Sequence, residues 1–156
     1  MTLIDLAGHH RGGPQHPTSE IDIHLGVYRS TDACAVVHAH ASAAIALSLV
    51  ADELPPYQQL LLGGALPVSP FAPFGTEELA ESVPSALRGK NAAILAHHGS
   101  VAVGATLTNA LDNILLLEWL CGMYLAAAAV GTPRALTDAQ MQAMVEIAVR
   151  TNYGNP

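Results

Sequence analysis

Histidines in two apolar segments are the residues whose type and spacing point most directly to chemistry. His38 and His40 stand one residue apart at the end of the apolar run 33–38, and His98 follows a second run, 92–96. Because side chains alternate between the faces of a β-strand, His38 and His40 are expected on the same face. Three neutral imidazoles leave one position of a tetrahedral zinc site open for water or substrate, as in catalytic sites. The pattern predicts a catalytic zinc site at the ends of two strands.

The elements that have to position these histidines are interleaved strands and helices, which predicts a layered α/β fold. Strands are expected at 3–6, 33–38, 92–96 and 101–103, with weaker candidates at 60–62 and 66–68. Helices are expected at about 17–29, 40–51, 77–87, 106–130 and 137–150. No repeat, low-complexity stretch or linker divides the sequence, so a single domain over residues 1–156 is expected.

Local signals give some helices more detail. Thr18 or Ser19 is expected to act as the N-cap of the first helix, and residues 137–140 match a capping box. The helix at 106–130 is apolar nearly all round, which predicts burial on most sides. Glu118 near its middle then needs a hydrogen-bond partner, since a buried carboxylate without one is costly.

Composition excludes some classes of partner. The sequence has six Lys and Arg residues and a formal net charge of −7, so a nucleic acid partner is not expected. Cys34 and Cys121 lie in apolar stretches without metal-ligand spacing, which indicates buried free thiols in a reducing cytosol. The first residues lack the features of a signal peptide, and Glu118 interrupts the most apolar stretch, so neither export nor a membrane span is expected. The expected location is the cytoplasm.

Several spaced motifs resemble, in the right order, the class II aldolase/adducin superfamily. They are Pro-Thr-Ser-Glu at 17–20 followed by His24 and Tyr28, Ala-Val-Val-His-Ala-His at 35–40, the segment 70–79, and Ile-Leu-Ala-His-His-Gly at 94–99. The resemblance extends to Tyr153-Gly154 and implies a central, mainly antiparallel sheet flanked by helices. Family domains begin with a helix and strands that carry much of the phosphate-binding loop, and this sequence is expected to start after them.

The resemblance also implies the metal centre and its base. His38, His40 and His98 would bind zinc, with Mn²⁺ or Co²⁺ as alternatives, because three imidazoles alone do not decide the metal. Glu20 would move the proton at the nucleophilic carbon and could act as an alternate metal ligand. That role requires a carboxylate whose pKa is raised, which a dry pocket would provide.

Further roles follow from the resemblance alone. The resemblance implies a homotetramer with active sites at subunit interfaces. Tyr153 would reach the active site of a neighbouring subunit and act there as the general acid or base for the departing aldehyde. Phe74 would shape the aldehyde pocket across the same interface. Thr18 and Ser19 would help to hold the substrate phosphate. A second tyrosine of the family is replaced by Gln59 here, with Tyr57 two residues away.

The function implied is a metal-dependent lyase that cleaves a small phosphorylated sugar into a dihydroxyacetone-phosphate unit and an aldehyde through an enediolate. One alternative is a decarboxylase of a phosphorylated 3-oxo sugar acid, which Gln59 favours because it cannot deliver a proton as a tyrosine does. Another is a non-catalytic, adducin-like interaction domain, which would not need the four candidate metal-site residues.

Overall fold

The computed structural model describes residues 1–57 and 60–153. Its strands are β1 Leu3–Ile4, β2 His10–Gly12, β3 Ala35–Ala39, β4 Glu53–Leu54, β5 Leu66–Ser69, β6 Ala92–Leu95 and β7 Gly99–Gly104. Its α-helices are α1 Ile21–Ser30, α2 Ser42–Ser48, α3 Glu77–Ala86, α4 Leu107–Ala128 and α5 Asp138–Thr151.

The main sheet has the strand order β3-β7-β6-β5-β4, and β1 pairs with β2 in a separate small sheet. Neighbouring strands of the main sheet are antiparallel except for β5 and β6, which are parallel. Alternate residues of β6 enter two different cores: Ile94 packs with residues of α2 and α4, whereas Ala93 and Leu95 pack with α1 and α3. The predicted α/β fold, with a mainly antiparallel sheet between helices, is therefore confirmed.

The short elements are where the sequence patterns failed. β2 and β4 lie between the expected elements, where no strand was predicted, and Leu60–Leu62 forms a 3-10 helix instead of a strand. Elements of two or three residues are too short to show the two-residue alternation by which strands are recognised. Cys34 was also expected to be buried, but it precedes β3 and is exposed.

The outer face of α4 differs from the expectation of burial on most sides. Its inward face contributes core residues, but large apolar side chains spaced four residues apart are exposed on the other face: Leu107, Leu111, Leu115, Trp119 and Met123. Among the described residues, α4 is the one helix long and apolar enough to cross a membrane. Core helices of other proteins pass the same test, so it is weak evidence for a membrane span.

Candidate metal centre

Glu20, His38, His40 and His98 converge at one end of the sheet. One ligand atom from each residue lies within 4.8 Å of every other. The Nε2 atom of His98 is 2.7 Å from one oxygen of Glu20, and the Nε2 atoms of His38 and His40 are 3.3 and 3.2 Å from the other. The side chains of Glu20, His38 and His98 are nearly buried, whereas that of His40 is 60% exposed. The cluster is thus open to solvent on the His40 side.

His38 is held by the β-ladder. It pairs with Val101 of β7, and its Nδ1 atom lies 2.9 Å from the carbonyl oxygen of Ser100. A carbonyl can only accept, so Nδ1–H donates this hydrogen bond and the neutral ring keeps its lone pair on Nε2, which faces Glu20. Such a second hydrogen bond is the usual way in which a metal-binding histidine is oriented.

His98 is placed by the tight turn between β6 and β7. His97 within this turn has a φ of 58°, a left-handed conformation that is uncommon for residues other than glycine. The next strand begins at Gly99, where a Cβ atom would lie 2.4 Å from the carbonyl oxygen of Ala39. Only glycine permits this close approach, which brings the turn that carries His98 against the end of β3. The Nε2 atom of His98 then lies 3.1 Å from the Nε2 atom of His40.

Glu20 is the N-cap residue of α1, and its own side chain makes no capping hydrogen bond. Thr18 supports this turn instead, since its Oγ1 accepts from the Glu20 N–H at 3.3 Å. Further along α1, Gly26 permits close packing on α3, because a Cβ there would lie 2.8 Å from the Ala80 carbonyl oxygen. The carboxylate is therefore free of the helix end and turned toward the histidines.

The electrostatics of the cluster correct one expectation and support another. Burial alone would raise the pKa of Glu20, but the imidazoles of His38, His98 and His40 outweigh it, so the pKa of Glu20 is lowered rather than raised. Burial lowers the pKa of His98, with His38 and His40 acting in the same direction against Glu20. A lowered histidine pKa favours the neutral imidazole, which is the form that binds a metal.

The donor set fits a divalent cation. Glu20 Oε1 and His38 Nε2 are buried, and neither has a hydrogen-bond partner of normal geometry among the described residues. Buried polar atoms are normally satisfied, so two lone pairs left facing one point indicate a ligand there. Imidazole nitrogens with a carboxylate suit zinc and other transition metals, which leaves the identity of the metal open.

The remaining predicted site residues are not part of this cluster. Thr18, Ser19 and Phe74 are exposed, and so is Tyr153 just beyond α5. Among the described residues, no hydrogen bond or ion pair joins the Tyr153 side chain to the histidines. Gln59 lies outside the described residues.

Two other histidines, His97 and His24, and the tyrosine Tyr57 are outside the four-residue cluster. The ring of His97 contacts that of Phe71 edge-on, with 5.9 Å between the ring centroids. His24 lies on α1, and its pKa is lowered by burial and by His38, against the opposing effect of Glu20. Tyr57 donates to the carbonyl of Leu120 in α4, and burial raises the pKa of Tyr57 to about 12.

Sequence reasoning missed the groups that hold the ligands in place. The Ser100 carbonyl and the close approach at Gly99 depend on which residue of β7 faces which residue of β3. The histidine–glycine pair at 98–99 was a visible signal, but it could not show what the glycine faces.

The fold and the donor set define a class of protein: an α/β domain with a three-histidine, one-glutamate cluster that fits a divalent metal and is open to solvent on one side. A family model, the Class II Aldolase and Adducin N-terminal domain, matches residues 1–125. The chain belongs to this family.

Relatives agree with that assignment. L-fuculose phosphate aldolase from Escherichia coli O6:H1 (strain CFT073) is 36% identical over 151 residues, which cover 94% of this chain and 70% of that protein. A solved structure of an L-fuculose 1-phosphate aldolase superposes with a TM-score of 0.86 at 32% identity, covering 93% of this chain and 70% of the other.

Other relatives carry different activities in their names. A 5-methylthioribulose-1-phosphate/5-deoxyribulose-1-phosphate aldolase from Rhodospirillum rubrum is 31% identical, and the match covers 94% of this chain and 67% of that protein. A 3-oxo-tetronate 4-phosphate decarboxylase from Haemophilus influenzae is 34% identical over 76% of this chain and 60% of that protein. Family membership therefore supports a lyase without fixing the substrate.

Proposed function

We propose that the protein is a metal-dependent aldehyde-lyase that cleaves a small phosphorylated sugar of the fuculose-1-phosphate type into dihydroxyacetone phosphate and an aldehyde. The observation that carries the proposal is the convergence of Glu20 with three imidazole Nε2 atoms within 4.8 Å. The similarity to L-fuculose phosphate aldolase, at 36% identity, supports the choice of substrate class.

His38, His40 and His98 would hold the cation, with Zn²⁺ first and Mn²⁺ or Co²⁺ as alternatives. When bound, such a cation supplies Lewis-acid stabilisation of the negative charge that an enediolate carries. A substrate would reach the centre from the side of His40, the most exposed of the three histidines.

Glu20 would move the proton at the carbon from which the aldehyde departs. Its carboxylate lies beside all three imidazoles, so a substrate held at the centre would place its reacting carbon near this base. The lowered pKa of Glu20 keeps the carboxylate ionised, which is the form that accepts a proton, although it makes Glu20 a weaker base than the raised pKa expected from the sequence.

Other groups would complete the site around the substrate. Thr18 and Ser19 are exposed immediately before Glu20, and their hydroxyl groups would donate hydrogen bonds to the substrate phosphate. Phe74 and Tyr153 are 79% and 63% exposed. In a homotetramer, both would reach the centre of a neighbouring subunit. Phe74 would form a wall of the aldehyde pocket there, and Tyr153 would act as the general acid or base. We propose the cytoplasm as the location.

Decarboxylation of a phosphorylated 3-oxo sugar acid is the second candidate. The 34% identity to a 3-oxo-tetronate 4-phosphate decarboxylase favours it specifically. The same centre would stabilise an enediolate after loss of carbon dioxide, and no tyrosine would be needed to protonate an aldehyde.

Substitution of Glu20 tests the proposal. Glu20→Gln is expected to keep stoichiometric metal and to lower kcat by about 10²–10⁴-fold, the usual contribution of a general base. Asp22→Asn is the matched control, because Asp22 lies on the same helix, is exposed and is not part of the cluster. Full activity of Glu20→Gln would contradict the mechanism.

The substrate and the enzyme class are tested together by a substrate panel. Purified protein is assayed with fuculose 1-phosphate, other phosphorylated ketoses and phosphorylated 3-oxo acids, and its metal content is measured by mass spectrometry. Turnover of the 3-oxo acids alone would select the decarboxylase. Absence of stoichiometric metal and of turnover would select the adducin-like interaction domain.

A further inference from the structure

The short helix α2 begins two residues after His40 and lacks a capping side chain of its own. Its N-cap residue is Ala41, which makes no side-chain cap hydrogen bond. A helix of seven residues is too short to be stable alone, and alanine is a poor N-cap. The position of α2 therefore depends on contacts from elsewhere in the chain.

Glu118 of α4 supplies the missing cap. One carboxylate oxygen accepts from the Ala43 N–H at 2.8 Å and the other from the Ala44 N–H at 3.0 Å. Hydrogen bonds to an ionised acceptor are about twice as strong as neutral ones, and a carboxylate also suits the positive end of a helix. This contact gives the charged residue in an apolar helix the partner that its sequence position required.

The other end of α2 contacts the second ligand-bearing segment. The Oγ atom of Ser48 accepts from the His97 N–H at 3.0 Å and donates to the carbonyl oxygen of Ile45 at 2.7 Å. The helix therefore links the segment that carries His40 to the turn that carries His98.

His40 depends on this helix more than His38 does. His38 pairs with Val101 within the β3–β7 ladder and donates to Ser100, whereas β3 ends at Ala39 and its last ladder pair is Ala39 with Ser100. His40 thus lies between the end of the ladder and the start of α2. Its main chain is held on one side by the last ladder pair and the close approach of Gly99, and on the other side by α2.

We propose that Glu118 is a positioning residue of the metal centre: by capping α2 from α4, it holds His40 at ligand distance from Glu20 and His98. This inference rests on the proposed metal-dependent function. Glu118 does not touch the donor atoms; it acts through α2.

The test is a Co²⁺ titration of the metal-free protein, followed by visible absorption and by competition with a chelator. Glu118→Ala is expected to weaken Co²⁺ binding by about 10–100-fold, as removal of groups that orient metal ligands does. Glu118→Gln keeps one carbonyl acceptor but turns an N–H group toward the second α2 donor, so its affinity should fall between those of Glu118→Ala and the unchanged protein. The d–d bands should shift in both variants.

Ile114→Ala is the matched control for loss of stability alone. Ile114 is a buried core residue of α4 one turn before Glu118, and it offers no hydrogen bond to α2. This variant should lower the unfolding temperature and leave Co²⁺ affinity and spectrum unchanged. A parallel loss of affinity in Ile114→Ala would mean that Glu118 acts only through general stability.

The outcomes separate the two proposals. If the unchanged protein binds no stoichiometric Co²⁺, the metal-dependent function fails. If it binds Co²⁺ and Glu118→Ala binds equally well with the same spectrum, the positioning role is overturned. Should Glu118→Ala not fold, Glu118→Gln decides, and an affinity equal to that of the unchanged protein overturns the inference.

Discussion

The metal centre and the C-terminal helices α4 and α5 differ in how far their side chains are buried and fixed by contacts within one chain. At the centre, Glu20, His38 and His98 are nearly buried and are fixed by a β-ladder, a tight turn and a helix start. The outer face of α4 exposes a row of large apolar side chains, and α5 has no buried residue at all. A single chain thus brings the donor set together by itself, whereas it leaves Tyr153 and the outer face of α4 exposed.

The strongest test of the first region is removal of one ligand. His98→Ala is expected to lose stoichiometric metal and to reduce turnover to background, because the remaining donors no longer surround a cation. Mass spectrometry of the purified protein and an activity assay measure both losses. The control is His97→Asn, since His97 is outside the cluster and asparagine tolerates its positive φ. Retention of metal in His98→Ala would show that the centre is not built as described.

A pair of leucines on α4 compares the inner and outer faces directly. Leu117 is 0% exposed and Leu115 is 59% exposed. Leu117→Ala should lower the free energy of unfolding by about 2–5 kcal/mol through lost burial and a cavity, whereas Leu115→Ala should change it by less than about 0.5 kcal/mol. Chemical denaturation followed by circular dichroism measures both. Equal losses would reveal that the outer face is covered in solution, and the contrast between the regions would break down.

The capping box of α5 provides a smaller and more local test. The Thr137 side chain accepts from the Gln140 N–H, and the Gln140 side chain accepts from the Thr137 N–H. Thr137→Ala should cost about 1 kcal/mol of helix stability and leave metal binding unchanged. Amide hydrogen exchange should show faster exchange confined to α5. An effect on metal content would link the two regions in a way that the structure of one chain does not explain.

The reactivity of the two cysteines toward a thiol reagent tests which parts of the native protein are exposed, without a substitution. Cys34 is exposed and Cys121 is buried, and burial, together with the charge of Glu118, raises the pKa of Cys121 to about 12. A thiol reagent near neutral pH should therefore modify Cys34 in the native protein and Cys121 only after unfolding, because the thiolate is the reactive form. Protection of Cys34 in the native protein would show that its end of the sheet is covered.

Local patterns predicted the parts of the fold that are long or strongly marked. The apolar runs before His40 and His98, the amphipathic helices and the capping box at Thr137 were all visible in sequence and are present. The strands β2 and β4 were missed, because two or three residues carry too little periodicity to be recognised. The outer face of α4 was misjudged, since a uniformly apolar helix does not show which of its faces the sheet will cover.

The sequence by itself determined the ligand types, the alternation that puts His38 and His40 on one face, and membership of the family. Tertiary structure decided the rest: the pairing of β3 with β7 gave His38 its carbonyl partner, and the packing of α4 on α2 brought Glu118 to the helix that follows His40. The tertiary structure also brought three imidazoles beside Glu20, so the pKa of Glu20 is below its usual value, whereas a raised pKa was expected from the sequence. The physical reason is the separation along the chain of the residues that interact. Periodicity and capping depend on a few neighbouring residues, whereas strand register, helix packing and the electrostatic field around a carboxylate depend on residues far apart in the chain.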